Sequence, residues 1–391
     1  MSRPKTMTQQ HLKNKSLYLI GFIAVLFFSC EQEVQNETMI IPSYTFLLGS
    51  YTSNESEGIG LLEFDPDNKI LNSQVIASGI SNPSFVLANK AQNLVFAVEE
   101  NAGEKGGKVK SFVFDRENNT LQLIDTQDSM GDHPCYLALD PKEEFLLVGN
   151  YSGGNFSVFS LSEGKMQWVQ TIQHEGQSIN PQRQGEAHVH SMVFHPNGKH
   201  LLVADLGTDK IHLYHFNPDF AVPFNHANPA YFEVSPGAGP RHIAVHPNGD
   251  FIYLIHELSA EVGVYGFENG NIRHMAHVPL TDRDFIGSVG AAEIRISPDK
   301  KHLYASNRGD ANDISAFEIS KDGQLKLVQR LKSGGEMPRN FILTKDGNYL
   351  LVAHQASDNI SIFRRDAKTG ELIPLGLDKS YPKPVYFFGL D

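Results

Sequence analysis

Four sets of polar residues recur along this chain about fifty residues apart. His188 and His190 are followed by Asp205. Arg241 and His242 are followed by His256 and Glu257, Glu293 and Arg295 by Asn307 and Arg308, and Arg339 and Asn340 by His354 and Gln355. These residue types together can carry out acyl chemistry. A guanidinium presents a planar fork that fits a carboxylate or a phosphate. A carboxylate or an imidazole can take a proton from water. An arginine or a protonated histidine can stabilise a developing oxyanion. The combination fits attack by water on the carbonyl of an ester that itself carries negative charge. The chain has no Gly-x-Ser-x-Gly elbow to suggest an acyl-enzyme. It has no cysteine pair and no His-Glu-x-x-His, so no metal is expected. Any one of these residues alone also fits a polar network that only ties elements together. Arg241, Glu257 and Arg308 as a set favour function.

The same spacing defines the elements that must hold them. A strand, a turn of the Pro-Asn-Gly kind, an apolar strand, a polar loop and an alternating strand ending in an aromatic recur as one unit. Copies begin at residues 83, 134, 189, 240, 291 and 338, at intervals of 51, 55, 51, 51 and 47. A period near fifty built only from strands matches the blades of a β-propeller, with four strands each. Strands at 44–50, 58–65 and 70–77 precede the copies, and residues 384–390 offer the missing strand of that first set. The expected architecture is all-β: one seven-bladed propeller over residues 43–391, its first blade completed by the C-terminal strand. Closure of this kind leaves no free sheet edge.

In such a ring, the start of each blade's first strand and the end of its second meet at one rim of the central channel. All of the polar sets above lie at those positions. The hairpin turns lie at the opposite rim, where His195, His200 and His246 are expected to be structural. His212 and His215 fall on an outer strand and are expected at the surface. Cys135, in an apolar stretch, is expected to be a small buried hydrophobe.

The N-terminus carries a different signal. Arg3, Lys5, Lys13 and Lys15 precede the apolar run 17–28. That run is too short to span a bilayer core of ~30 Å as a helix. The sequence Phe27-Phe28-Ser29-Cys30 follows and is similar to a bacterial lipobox, which implies cleavage before Cys30 and lipidation of its thiol. Residues 1–30 are therefore expected to be a signal peptide and residues 31–42 a polar tether. A lipidated Cys30 leaves Cys135 without an intrachain disulfide partner. The formal net charge of −12 argues against a general nucleic-acid or anionic-membrane binder. The expected protein is a monomer of the cell envelope, periplasm-facing or on the outer membrane, touching membrane only through its lipid.

The chain resembles the seven-bladed propeller lactonases, which include the cycloisomerase-type 6-phosphogluconolactonases and the carboxymuconate cyclases. The resemblance rests on Gly-Ser-Tyr-Thr at 49–52, His-Val-His at 188–190, Asp-Leu-Gly at 205–207 and Gly-Pro-Arg-His at 239–242. Further matches are Glu257, Ala-Glu-Ile-Arg at 292–295, Ser-Asn-Arg at 306–308 and Gln-Ala-Ser-Asp at 355–358. It implies a catalytic group of His190 (or His188), Arg241, Glu257 and Arg308. In that group Glu257 or the histidine is the base, and the arginines hold the acid group and the oxyanion. His188, Asp205, His242, Glu293, Arg295, Asn307, Arg339 and Gln355 are the expected substrate contacts. The resemblance implies a small lactone or sugar acid as partner and no cofactor. His354 stands where the family often has asparagine. A phosphorylated sugar lactone is a cytosolic metabolite, so export makes an unphosphorylated sugar lactone or another cyclic ester equally fitting. Two other readings use the same residues: a carboxymuconate-type cycloisomerase, and a non-enzymatic binding propeller on the envelope.

Overall fold

A computed structural model describes residues 43–54 and 57–390. The expected signal peptide, Cys30 and the tether lie outside the described residues. Seven four-stranded antiparallel sheets form the structure, each a meander of sequence neighbours except the first. There the strand Pro384–Leu390 is innermost and pairs with Tyr44–Ser50, Thr45 facing Leu390. The expected closure by both chain ends is what the structure has. The sole helical element among the described residues is a 3₁₀ turn at Gly103–Lys105.

Each sheet must bury both faces against its neighbours, because the blades pack face to face around the channel. Seven apolar clusters result, and each draws side chains from two adjacent blades. The cluster between blades four and five, for example, joins Leu202, Leu213 and Ile211 to Ile252, Leu254 and Tyr265. Polar ties reinforce these seams. The Tyr253 hydroxyl donates to the Gly323 carbonyl at 3.0 Å and Tyr304 to Gly370 at 2.7 Å, each reaching the next blade. At the turn rim, His195 Nε2 lies 2.8 Å from the Gly249 carbonyl oxygen. Gly249 has a φ of +84°, and a Cβ there would come within 2.9 Å of the His195 ring, so glycine is required.

One local irregularity matters for the site. At the functional rim the innermost strands carry β-bulges. In blade four, Val189 pairs with Asp205 and Ser191 with Ala204, so His190 is an extra residue. In blade five, Arg241 and His242 lie between the pairs Pro240–His256 and Ile243–Leu254. Ala292 and Glu293 in blade six, Arg339 in blade seven and Cys135 in blade three occupy the equivalent irregularities. A bulge breaks the alternation of side chains and re-aims the extra residue. Three of the re-aimed residues, His190, Arg241 and Arg339, reach the channel mouth.

Ring closure depends on Phe387, which is fully buried and packs edge-on against Phe46 at 6.2 Å. Phe387→Ala is expected to destabilise the protein by about 3–5 kcal/mol. The midpoint of urea unfolding will fall accordingly, while Ile373→Ala, at an exposed position, will leave it nearly unchanged.

Candidate functional site at the channel mouth

Glu257, at the end of the second strand of blade five, is the centre of the functional rim. It is 6% exposed and surrounded by cations. Arg241 Nε donates to its Oε2 at 3.0 Å, and Arg308 Nη2 lies 2.9 Å from the same oxygen. Arg183 Nη2 donates to Oε1 at 2.6 Å. His190 Nε2 lies 3.9 Å from Oε2. Blades four, five and six and the loop 174–188 thus converge on one carboxylate.

The arginines are themselves held. Arg241 Nη1 donates to the Ala292 carbonyl at 2.7 Å, and Arg308 Nε donates to the Gly290 carbonyl at 2.7 Å. Burial would raise the Glu257 carboxyl, but the guanidiniums of Arg308 and Arg241 hold it well below the usual range. Burial, with Arg308 and Arg339 nearby, pushes Arg241 down to about 9. Burial and the Arg241 charge push His190 well below its ordinary value, so its imidazole is neutral at pH 7.

The wall around this centre is aromatic and polar. Tyr151 stacks on His188, with ring centroids 4.3 Å apart and planes at 3°, and meets His190 edge-on at 5.2 Å. His188 Nδ1 lies 3.0 Å from the Tyr151 carbonyl oxygen, so His188 supports the aromatic wall and His190 faces the carboxylate. On the other side, the Tyr51 hydroxyl donates to Glu100 at 2.9 Å. The Arg339 guanidinium lies 5.6 Å over the Tyr51 ring. Cys135 is buried as expected, its thiol pushed up by burial, and its Sγ lies 3.9 Å from His190 Nδ1.

His190, Arg241, Glu257 and Arg308 therefore meet, with Arg339 and His188 beside them. Several other expected contacts do not join this group. Asp205 is fully buried between blades. Its Oδ1 accepts from the amides of His188, Gly207 and Thr208, and its Oδ2 faces His174. Asn307 is also fully buried and accepts from the Gly290 amide at 3.1 Å, bracing the strand end beneath Arg308. The Gln355 amide donates to the Met337 carbonyl, and its side-chain Oε1 is buried without a hydrogen bond.

Glu293 and Arg295 belong to the other end of the channel. With His242, Tyr136 and Tyr386 they line a cavity of about 440 Å³ that also includes the turn residues Pro247 and Pro298. Arg295 lies four residues beyond Ala291, about 13 Å along a strand. That distance carries it from one rim to the other. His242 links the two ends: its Nε2 lies 3.3 Å from Arg241 Nη1 and its Nδ1 3.4 Å from Glu293 Oε2. Glu293 is also bonded by Asn340. His212, expected at the surface, is buried because the inter-blade face of its strand takes it inward.

Sequence reasoning missed Arg183, Tyr51 and Glu100. A faint signal pointed to the first. The interval from residue 134 to 189 is the longest between units, and its extra length is the loop that carries Arg183 over the rim.

Comparison with known proteins agrees with this architecture. The family model described as "Lactonase, 7-bladed beta-propeller" matches residues 45–388. A 6-phosphogluconolactonase of Formosa agariphila is 37% identical over 83% of this chain and 93% of its own length. One from Bacillus subtilis is 31% identical over 88% and 97%. Among solved structures, the periplasmic gluconolactonase of Pseudomonas aeruginosa superposes with a TM-score of 0.84 at 33% identity, covering 90% of this chain and 99% of that one. A putative 6-phosphogluconolactonase of Bacteroides fragilis gives 0.83 at 34%, over 89% and 98%. With the closed ring of blades and a family model matched over nearly all of the described residues, the chain belongs to the seven-bladed β-propeller lactonase family.

Proposed function

We propose that this protein hydrolyses a sugar-type lactone at the mouth ringed by Glu257, His190 and the arginines. The observation that carries the reading is one buried carboxylate bound by three guanidiniums next to a neutral imidazole. Relatives named 6-phosphogluconolactonase and gluconolactonase support the same class of ester. At the mouth four guanidiniums (Arg183, Arg241, Arg308 and Arg339) face two carboxylates (Glu257 and Glu100), an excess of two positive charges. An anionic or oxyanion-forming substrate completes that balance.

His190 is the base in this reading. The Glu257 oxygens are taken up by three guanidiniums, whereas the neutral imidazole keeps a lone pair for the proton of water. Water attacks the lactone carbonyl carbon while His190 takes its proton. Arg308 and Arg241 stabilise the resulting oxyanion. The ring C–O bond then breaks, the imidazolium returns the proton to the leaving alkoxide, and a hydroxy acid results. Glu257 acts by fixing the arginines and by stabilising the imidazolium as it forms.

The reading includes location. The lipobox-like residues around Cys30 and the periplasmic name of one structural neighbour support a lipid-anchored envelope protein. Cys30→Ala is expected to abolish incorporation of radiolabelled palmitate in cells and to release the protein from membranes. Unchanged labelling rejects the anchor.

Gluconolactone and its 6-phospho derivative, each followed by acid release above the spontaneous rate, test the activity. No acceleration with either rejects it. His190→Asn is expected to lower kcat by about 10²–10⁴-fold. Protonation removes the base, so activity is lost as pH falls through the His190 pKa. That pKa lies well below 6.5. The profile is therefore expected to stay flat from about pH 8 to pH 6 and to fall only in more acidic solution. An acid limb centred near the ordinary histidine value contradicts His190 as the base.

Arg183 is partly exposed at the outer edge, with 43% of its side chain accessible, where a substrate entering the mouth would meet it. Arg183→Ala is expected to raise KM for the phosphorylated lactone about tenfold, a binding change of ~1.4 kcal/mol. KM for the neutral lactone and kcat for both will change much less. Equal effects on the two substrates would contradict a role in reading charge.

A further inference from the structure

Outside the channel, between blades three and four, three side chains converge that the proposed chemistry does not use. His174 follows the outer strand of blade three, Asp205 ends the second strand of blade four, and His212 lies on the third. His174 Nδ1 is 2.9 Å from Asp205 Oδ2, and His212 Nε2 is 3.9 Å from the same oxygen. One donor atom from each falls within 4.8 Å of the other two. Tetrahedral zinc, with bonds of ~2.0–2.1 Å, separates its ligands by about 3.3 Å. The two observed separations bracket that value.

The far ends of two of these groups are already fixed. His174 Nε2 lies 2.9 Å from the Tyr214 hydroxyl. Asp205 Oδ1 accepts three backbone amides, at 2.8, 3.0 and 3.2 Å, which leaves Oδ2 aimed at the two rings. Outer partners of this kind orient metal ligands. His212 is the unexplained member. Its side chain is 8% exposed, and neither ring nitrogen has a hydrogen-bond partner. A buried imidazole in that condition is costly unless something binds it. Its ring stacks on His174, with centroids 3.8 Å apart and planes at 27°. Ligation therefore needs the His212 ring to turn about its Cβ–Cγ bond, and no hydrogen bond opposes the turn.

We propose that His174, Asp205 and His212 bind one divalent transition-metal ion of the zinc class, as a structural site separate from the channel mouth. Two imidazoles and one carboxylate suit zinc better than magnesium or calcium, which prefer oxygen alone. The three ligands are far apart in sequence and follow none of the local zinc motifs, so spacing gave no sign of them. The ion would brace the base of blade four. Asp205 holds the His188 amide, and His188 stacks on Tyr151 in the wall of the mouth. A second group, His256, Glu261 and His277, is partly exposed and serves as the control.

The test uses the purified full-length protein, stripped with chelator and titrated with Zn²⁺ alone by calorimetry and with Co²⁺ by visible absorption. The expected result is a single ion per chain, a melting temperature that rises with Zn²⁺, and cobalt bands of a low-coordinate nitrogen–oxygen site. His212→Phe keeps a stacking ring and is expected to fold, by circular dichroism, while weakening binding about 100-fold or more. His277→Phe is expected to bind as the parent does. Failure of the parent protein to bind Zn²⁺ overturns the proposal whether or not the variants fold. Equal binding by His212→Phe also overturns it, as does loss of the ion in His277→Phe. A higher melting temperature for His212→Phe with no zinc response in the parent identifies a stacked histidine pair and overturns it too.

Discussion

The Glu257 carboxylate sets the charge balance of the channel mouth. Three guanidiniums reach it from a loop and two blades, and the two buried ones, Arg241 and Arg308, would be costly to bury without it. The arginines in turn make this carboxylate the least basic group nearby. Arg241 adds a positive field that keeps His190 neutral. One ion-pair cluster therefore keeps the arginines charged, the acid ionised and the imidazole available as a base. The arrangement is rigid because the arginines also bond backbone carbonyls, Arg241 that of Ala292 in the next blade and Arg308 that of Gly290 in its own. The seam between blades five and six and the candidate chemistry thus rest on the same contacts.

The bulges explain how a ring of nearly identical sheets produces one polar mouth. A regular inner strand would alternate its side chains between the two faces of its own blade, each packed against a neighbour. An irregularity at the rim breaks that rule in six of the seven blades. Where the extra residue is Cys135, the blade adds an apolar patch. Where it is His190, Arg241 or Arg339, it adds chemistry. Most sheet positions remain committed to packing, and the departures from ideal pairing are concentrated where function is proposed.

Much of this was legible in the sequence. The fifty-residue period marked six blades, and the leftover strands at 44–77 and 384–390 supplied the seventh and its closure. Arg241, Glu257 and Arg308 stood out because charged residues at strand ends in a propeller have few places to go. Orientation was harder to read. Asp205 and Asn307 occupy rim positions but point into the blades, and Arg295 sits too far along its strand to reach the same opening. Pattern alone cannot locate a bulge, and a one-residue change in register reverses every side chain beyond it. Arg183 was out of reach for another reason. Its loop has no counterpart in the other units, so repeat logic could not say where it folds.

The pairing of residues 44–50 with 384–390 has a consequence for how the molecule is made. The two strands lie more than 300 residues apart, so their contact is among the most distant in sequence and costs the most loop entropy to form. The first blade cannot be completed until residues 384–390 have left the ribosome, or have crossed the membrane if the protein is exported. Until then the strand beginning at Tyr44 has an open flank, and the partly assembled ring is at its most vulnerable to pairing with other chains.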